Sequence, residues 1–136
     1  MKYVVDANIV LSGLKAGNIT ELLLSPHIEL IAPDLFFTEL ENNRAEIQRK
    51  SSFSPQEFNL LTETLKQKIQ AIPFEAFRST FHLAEKLLCD HPKDIPYVAL
   101  ALQFNIPFWT YEERFKRMNP LVVITTKEVR KKLQRE

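Results

Sequence analysis

The chain has 136 residues, of which 45% are hydrophobic and 26% charged, and its net charge is +1. This composition excludes disordered and fibrous proteins, and the length fits one domain over residues 1–136. The single cysteine, Cys89, permits no internal disulfide, and no apolar run reaches the roughly 20 residues that span a bilayer. We therefore expect a cytoplasmic protein with no membrane partner.

The first half of the chain alternates short apolar runs with helical patterns. The predicted order is strand, helix, helix, strand, helix, at residues 2–5, 8–14, 18–26, 28–32 and about 34–50. Asn18 stands three residues before Glu21 in capping-box spacing, so we expect it to begin the second helix. Pro33 and Asp34 open the long third helix, and Glu39 lies at the edge of its apolar face.

The second half continues the same alternation. Helices are predicted at 55–67, 74–89, 94–104 and from Thr125 onward, and strands at 68–72, 107–110 and 121–125. The clearest helix start is Ser54-Pro55-Gln56-Glu57, which combines a cap, a proline at the first helical position and a glutamate three residues after the cap. Strands that alternate with helices predict an α/β fold with a parallel sheet of about five strands and helices on both faces.

Acidic residues fall where such a sheet binds ligands, at the carboxyl ends of its strands. Asp6 ends the first strand and Glu112 closely follows the fourth, while Glu39 and Asp94 lie near the starts of helices. Asp94 could equally be a helix cap. Four carboxylates in one cleft would repel each other unless a cation neutralised them, and Mg²⁺ or Mn²⁺ is the natural choice. Such a site favours metal-assisted hydrolysis of a phosphodiester.

Four segments together resemble one known family over essentially the whole chain. They are VVDANIVLSGL, APDLFFTEL, DHPKDIPYVALALQFNIPFWTYEERF and LVVITTKEV. In this order they are similar to the PIN domain (PilT N-terminal domain) ribonucleases, in the small form of the VapC-type toxins of type II toxin-antitoxin systems. The resemblance implies a three-layer α/β/α sandwich with strand order 3-2-1-4-5, in which the first and fourth strands are neighbours.

The resemblance also implies an activity and a set of site residues. The activity is that of a divalent-metal endoribonuclease acting on RNA, with a cognate antitoxin protein that fills the acidic cleft. The residues that match the catalytic, metal-binding acids of the family are Asp6, Glu39, Asp94 and Glu112, and those that match supporting positions are Asn8, Thr110 and Asp90. Related domains commonly pair, so a homodimer is expected.

The chain departs from the family pattern at the fourth acid. The fourth strand is usually followed by an aspartate, whereas here the sequence is Trp109-Thr110-Tyr111-Glu112. Glutamate keeps the charge and reaches one methylene further, and Glu113 is an alternative. Tyr111 is bulkier than the usual residue and is expected either to narrow the cleft or to stack on a base.

The sequence leaves two alternative functions to consider. The altered fourth acid leaves open a PIN-fold RNA-binding or protein-interaction module without strong catalysis. A receiver-type signalling domain also clusters acids around Mg²⁺, but KIQAIP lacks the acid expected after the third strand of such a domain.

The three histidines are interpreted as structural or exposed and Cys89 as a core residue. Residues 112–136 hold eight Lys and Arg against four Glu, which favours a solvated helix face over a nucleic-acid patch.

Overall fold

The fold was analysed in a computed structural model, which describes residues 1–16 and 19–135. Its strands are β1 (Lys2–Val5), β2 (Glu29–Pro33), β3 (Ile69–Ile72), β4 (Phe108–Trp109) and β5 (Val123–Ile124). The α-helices of the described residues are α1 (Ala7–Ala16), α2 (Thr20–Leu23), α3 (Leu35–Asn42), α4 (Arg44–Lys50), α5 (Pro55–Lys68), α6 (Arg78–Leu87), α7 (Ile95–Phe104) and α8 (Thr126–Gln134). Short 3-10 turns occupy Phe74–Ala76, Pro92–Asp94 and Glu113–Arg117.

The five strands form one parallel sheet in the order β3-β2-β1-β4-β5. This confirms the predicted α/β class and the strand order 3-2-1-4-5. It also counts against the receiver-type alternative, because doubly wound domains of that kind have the order 2-1-3-4-5. In this order β1 pairs with β2 on one side and with β4 on the other, so the topology reverses between β1 and β4. The crevice beside this switch point is where such sheets bind ligands.

Helix α7 lies at the centre of one helical layer. It contacts β1, β2 and β4, and α6 packs against it. This position explains its sequence, because a helix covered both by the sheet and by a neighbouring helix buries nearly its whole circumference. The buried residues of α7 are Tyr97, Val98, Ala99, Leu100 and Ala101. Because α7 runs back along the sheet towards β4, its first turn, with Asp94, lies at the carboxyl edge of the strands.

The predicted capping boxes at α5 and α8 are confirmed. At the start of α5, Ser54 Oγ accepts a hydrogen bond from the Glu57 main-chain N–H, and the Ser54 main-chain N–H donates back to the Glu57 carboxylate. Thr125 and Glu128 make the same reciprocal pair at α8. The predicted cap Asn18 lies outside the described residues, and α2 begins at Thr20.

The predicted long helix over 34–50 is wrong in one respect, because it is broken at Asn43. The Asn43 side-chain amide donates to the Glu39 carbonyl at 2.8 Å, so the side chain competes with the main chain for that helix hydrogen bond. The predicted helix over 74–89 likewise starts as a 3-10 turn and becomes α-helical only at Arg78. Both predictions identified the apolar face correctly and missed the local break.

The prediction that Cys89 is a core residue is wrong, because the structure places it on the surface. It follows the end of α6, where the chain turns away from the core, and its thiol contacts Asp90 at 3.7 Å. Within residues 1–16 and 19–135, none of the helices combines the length and apolar character needed to cross a bilayer.

Candidate active site

The sheet register brings the first acid next to the fourth strand. Val5 pairs with Trp109, and the Asp6 main-chain N–H donates to the Trp109 carbonyl at 3.0 Å. Thr110, the residue that follows β4, therefore faces Asp6, and its hydroxyl donates to Asp6 Oδ2 at 2.6 Å. Asp6 Oδ1 accepts the main-chain N–H of Asn8 at 3.1 Å, as an N-cap residue does at the start of a helix. Both oxygens of this carboxylate are thus held in place.

Asp6 is buried, with 5% of its surface exposed. This burial raises the pKa of Asp6, although the hydrogen bonds from Thr110 and Asn8 oppose the effect. The charge of Glu112 raises the pKa further. A buried carboxylate that remains ionised beside another carboxylate is stabilised by any cation that enters the site.

The main chain of Glu112 hydrogen-bonds to the same Thr110 hydroxyl that contacts Asp6. The Glu112 N–H donates to Thr110 Oγ1 at 3.1 Å, so Thr110 connects Asp6 with the chain segment that carries Glu112. The Glu112 carboxylate accepts Arg114 Nε at 2.8 Å, and this hydrogen bond lowers the pKa of Glu112. Its neighbour Glu113 is exposed at the start of the following 3-10 turn and lies outside the pocket lining formed by the described residues.

Asp94 occupies the N-cap position of α7 but makes no side-chain capping hydrogen bond. The expectation that it caps the helix is therefore wrong: its backbone is already helical, with φ −89° and ψ −12°, and the side chain lines a pocket instead. Desolvation, followed by the charge of Asp6, raises the pKa of Asp94 to about 6, with smaller contributions from Glu112 and Glu39. Nearby His91 opposes the shift.

Glu39 approaches the same region from α3. Tyr97 Oη donates to Glu39 Oε1 at 2.8 Å from a ring that is 1% exposed. Desolvation raises the pKa of Glu39, the Tyr97 hydrogen bond opposes this, and the charge of Asp6 raises the pKa further. The Glu39 carboxylate is therefore within electrostatic reach of Asp6 and is oriented by a buried hydroxyl.

A pocket of about 250 Å³ lies between these side chains. Its lining residues are Asp6, Asn8, Ser12, Asp94, Thr110, Tyr111 and Glu112. Within residues 1–16 and 19–135, no group of three or more His, Cys, Asp or Glu side chains already stands close enough to enclose a metal ion. Mg²⁺ commonly takes one or two protein carboxylates and keeps several waters, so Asp6 and Asp94 on one pocket fit this ion. The donor set is all oxygen, as hard cations prefer.

The remaining predicted residues occupy three kinds of position. Asn8 lines the pocket with an exposed side chain, and its hydrogen bond to Asp6 comes from the main chain. Tyr111 is 49% exposed at the pocket wall. Asp90 is exposed and is not among the described residues that line the pocket, although it interacts electrostatically with Arg114.

Four residues near the acids were missed by sequence reasoning: Tyr97, His91, Lys93 and Arg114. His91 was interpreted as structural or exposed, yet it is half-buried and its charge acts on both Asp94 and Glu112. Lys93 lowers the pKa of Glu39. The local run Glu112-Glu113-Arg114 offered a signal for the arginine, whereas nothing near Tyr97 in sequence indicated its bond to α3.

A larger groove of about 740 Å³ lies elsewhere, between α1, α2, α4 and α5. Its lining mixes leucines such as Leu14, Leu24 and Leu61 with lysine and hydroxyl side chains, and Glu57 is the one acid among the described residues that line it. Because hydrolysis of a charged substrate needs the polar groups of the smaller pocket, the acidic pocket is the candidate active site.

Comparison with known proteins agrees with this architecture. The family model described as PIN domain matches residues 4–134. No curated protein matches the chain.

Two solved structures share the fold. One is a chain in the crystal structure of VapBC2 from Rickettsia felis, which is bound to a DNA fragment from the VapBC2 promoter. It aligns with a TM-score of 0.63 at 20% identity, and the alignment covers 92% of this chain and 98% of that one. A chain of VapBC-1 from nontypeable Haemophilus influenzae aligns with a TM-score of 0.62 at 18% identity, with the same coverage of both chains. At these identities the likeness is one of fold, and function has to be argued from the site.

Proposed function

Because the chain belongs to the PIN domain family, we propose that it is an endoribonuclease that hydrolyses RNA phosphodiesters with the help of Mg²⁺ or Mn²⁺. Family membership supports a nuclease in general terms. The observation that carries the finer proposal is the acidic pocket, around which Asp6, Glu39 and Asp94 all have raised pKa values.

Burial is the main cause of the raised pKa values of these three carboxylates, and the charge of Asp6 raises the pKa values of Glu39 and Asp94 further. A divalent cation in the pocket would offset both the loss of hydration and this repulsion. We assign Asp6 and Asp94 as its direct ligands, because both line the pocket and neither forms an ion pair with a described residue. Glu112, which lines the pocket but is paired with Arg114, and Glu39, which is not among the described residues that line it, complete the cluster. When bound, the ion supplies positive charge that polarises a phosphodiester and favours attack by water.

The side chains of this protein then have distinct tasks. Thr110 fixes Asp6 by donating to Oδ2, and Tyr97 fixes Glu39 by donating to Oε1. We assign Glu112, which is partly exposed to solvent at the pocket wall, to orienting the attacking water. Tyr111 stands beside it with half its surface free, where a nucleotide base can stack on the ring.

The RNA backbone requires cations outside the acidic pocket. Helix α8 begins beside β4, because Trp109 Nε1 donates to Thr126 Oγ1 at 3.0 Å. The helix carries exposed Lys127, Lys131 and Lys132. We assign these lysines to phosphate contacts, which predicts that RNA binding weakens as the salt concentration rises.

We further propose that the enzyme is the toxin of a type II toxin-antitoxin pair, inhibited by a cognate antitoxin that occupies the acidic cleft. The two structures described above that share its fold are VapBC assemblies, which supports a protein partner. Induced expression in bacteria should then arrest growth, and co-expression of a protein encoded beside the gene should relieve the arrest. Growth that is unaffected by the active chain contradicts the toxin role.

A homodimer is also proposed, since related domains commonly pair. Sedimentation at micromolar concentration should show a species of twice the 15.9 kDa chain mass. A single species at the chain mass contradicts this assembly.

The nuclease proposal is tested by cleavage of a labelled single-stranded RNA with purified protein in Mn²⁺ and in EDTA. Asp6→Asn and Asp94→Asn should each abolish the Mn²⁺-dependent cleavage. Asp34→Asn is the matched control, because Asp34 is an exposed aspartate that makes no side-chain capping bond at α3. Equal cleavage by all four proteins would identify a contaminating nuclease and overturn the proposal.

One observation favours the alternative of a binding module with weak catalysis: Glu112 is already paired with Arg114. In that case the protein binds RNA in Mn²⁺, and neither wild type nor the Asp variants cleave it.

A further inference from the structure

The fourth acid differs from the other three because it has its own cation. Arg114 lies two residues after Glu112, and its Nε donates to Glu112 Oε1 at 2.8 Å. The Arg114 side chain makes no other hydrogen bond to a described residue. Its charge also acts on Asp94 and Asp90. The Arg114 side chain is largely exposed, so the guanidinium lies on the solvent side of the acidic cluster.

The segment that carries this pair is held firmly at its start. The Glu112 main-chain N–H donates to Thr110 Oγ1, and the same hydroxyl donates to the buried Asp6. The 3-10 turn that follows is anchored by Phe115, which is fully buried. The main chain of Arg114 therefore lies between two anchored positions, which keeps the arginine within reach of Glu112.

The cluster thus divides into two parts. Among the described residues, no cation hydrogen-bonds to Asp6, Glu39 or Asp94, whereas the charge of Glu112 is already balanced by an arginine. Two-metal sites place their ions about 3.5–4 Å apart and share carboxylates between them. A second ion at this site would have to displace Arg114 from Glu112 or accept the repulsion of a neighbouring positive charge.

We propose that Arg114, paired with Glu112 at the mouth of the pocket, takes the electrostatic place of a second divalent ion, so that the site binds a single one. This inference rests on the proposed function, because it assumes that the acidic pocket binds a divalent cation. It assigns Arg114 as a positioning residue that keeps Glu112 at the outer edge of the cluster.

The test is the number of Mn²⁺ ions bound per chain, measured on metal-free protein without RNA by calorimetric titration and by electron paramagnetic resonance of the unbound ion. Wild type should bind one ion. Arg114→Gln, which removes the charge from an exposed side chain, should bind a second ion roughly tenfold or more tightly than wild type does. Arg114→Lys should again bind one.

Arg117→Gln is the matched control, since Arg117 is exposed on the same turn and makes no ion pair with a described residue. It should leave the count at one. Two ions of similar affinity in wild type, or a single ion in Arg114→Gln with the wild-type affinity, overturn the role of Arg114 and leave the proposed nuclease intact. A wild-type protein that binds no Mn²⁺ overturns the proposed function and this inference together.

Discussion

Replacing Asp94 with asparagine should make the metal-free protein more stable. Burial and the neighbouring acids raise the pKa of Asp94 to about 6, from an ordinary value of 3.8. Each tenfold change in proton affinity corresponds to about 1.4 kcal/mol, so keeping this group ionised at neutral pH costs about 3 kcal/mol if it is fully shielded. Asp94 is only half-buried, and solvent screening reduces the cost to on the order of 1 kcal/mol. For a chain of this size that is a rise in Tm of about 3–4 °C.

The pH dependence follows from the sign of the shift. Because the folded pKa of Asp94 lies above the unfolded one, its contribution to stability is fully present below about pH 4 and is lost as the pH rises through about 6. The difference in Tm between Asp94→Asn and wild type should therefore be small at pH 4 and reach its full size at pH 7.5. Thermal unfolding followed by circular dichroism in EDTA measures it.

Mn²⁺ should reverse the order of stability. At a hundred times its dissociation constant, a ligand stabilises the form that binds it by about 2.7 kcal/mol. Wild type should gain this stabilisation when Mn²⁺ is added, and Asp94→Asn should not. The control Asp34→Asn should follow wild type throughout. If Asp94→Asn is less stable than wild type at pH 7.5 in EDTA, or if the difference is the same at both pH values, the electrostatic description of the pocket is refuted.

Two further predictions concern single contacts. Tyr97→Phe removes the hydroxyl that orients Glu39, an acid beside the direct ligands, so Mn²⁺ affinity should fall by about tenfold in a calorimetric titration, at the lower end of the effect of losing an outer hydrogen-bond partner. Tyr111→Phe should leave the affinity unchanged. Equal affinities for both variants would show that the Tyr97 hydroxyl does not position the acid. Gly13→Ala places a methyl group against the buried side chain of Ile19, so the free energy of unfolding measured in urea should fall by about 1–3 kcal/mol. An unchanged urea midpoint would show that α1 and Ile19 can move apart at no cost.

Much of the fold was predictable because its signals are local. Apolar runs of four or five residues marked the strands, and the capping boxes at Ser54 and Thr125 needed only four consecutive residues each. The strand order came from the family resemblance, since pairing of distant strands leaves no local trace. The break at Asn43 escaped prediction because the apolar periodicity of Phe36, Leu40 and Ile47 continues across it, and all three side chains are buried.

The site was predictable as a set of acids but not as a network. The positions of Asp6 and Glu112 followed from the rule that strands end at the binding edge of a parallel sheet. The bond between Tyr97 and Glu39 joins residues 58 positions apart, and it depends on how α3 and α7 pack. The cap interpretation of Asp94 failed because position in sequence determines where a helix begins and not where the carboxylate points.

The central claim, that the acids around Asp6 promote hydrolysis of RNA by water, is tested most directly by cleavage in ¹⁸O-labelled water with Mn²⁺. Attack by water on the phosphodiester introduces one solvent oxygen into the product phosphate, whereas attack by the neighbouring 2′-hydroxyl leaves a cyclic phosphate without it. Wild type should give singly labelled phosphate ends and no cyclic phosphate, and Asp6→Asn should give neither. Unlabelled cyclic ends, or labelled ends formed equally by Asp6→Asn, would contradict the proposed chemistry.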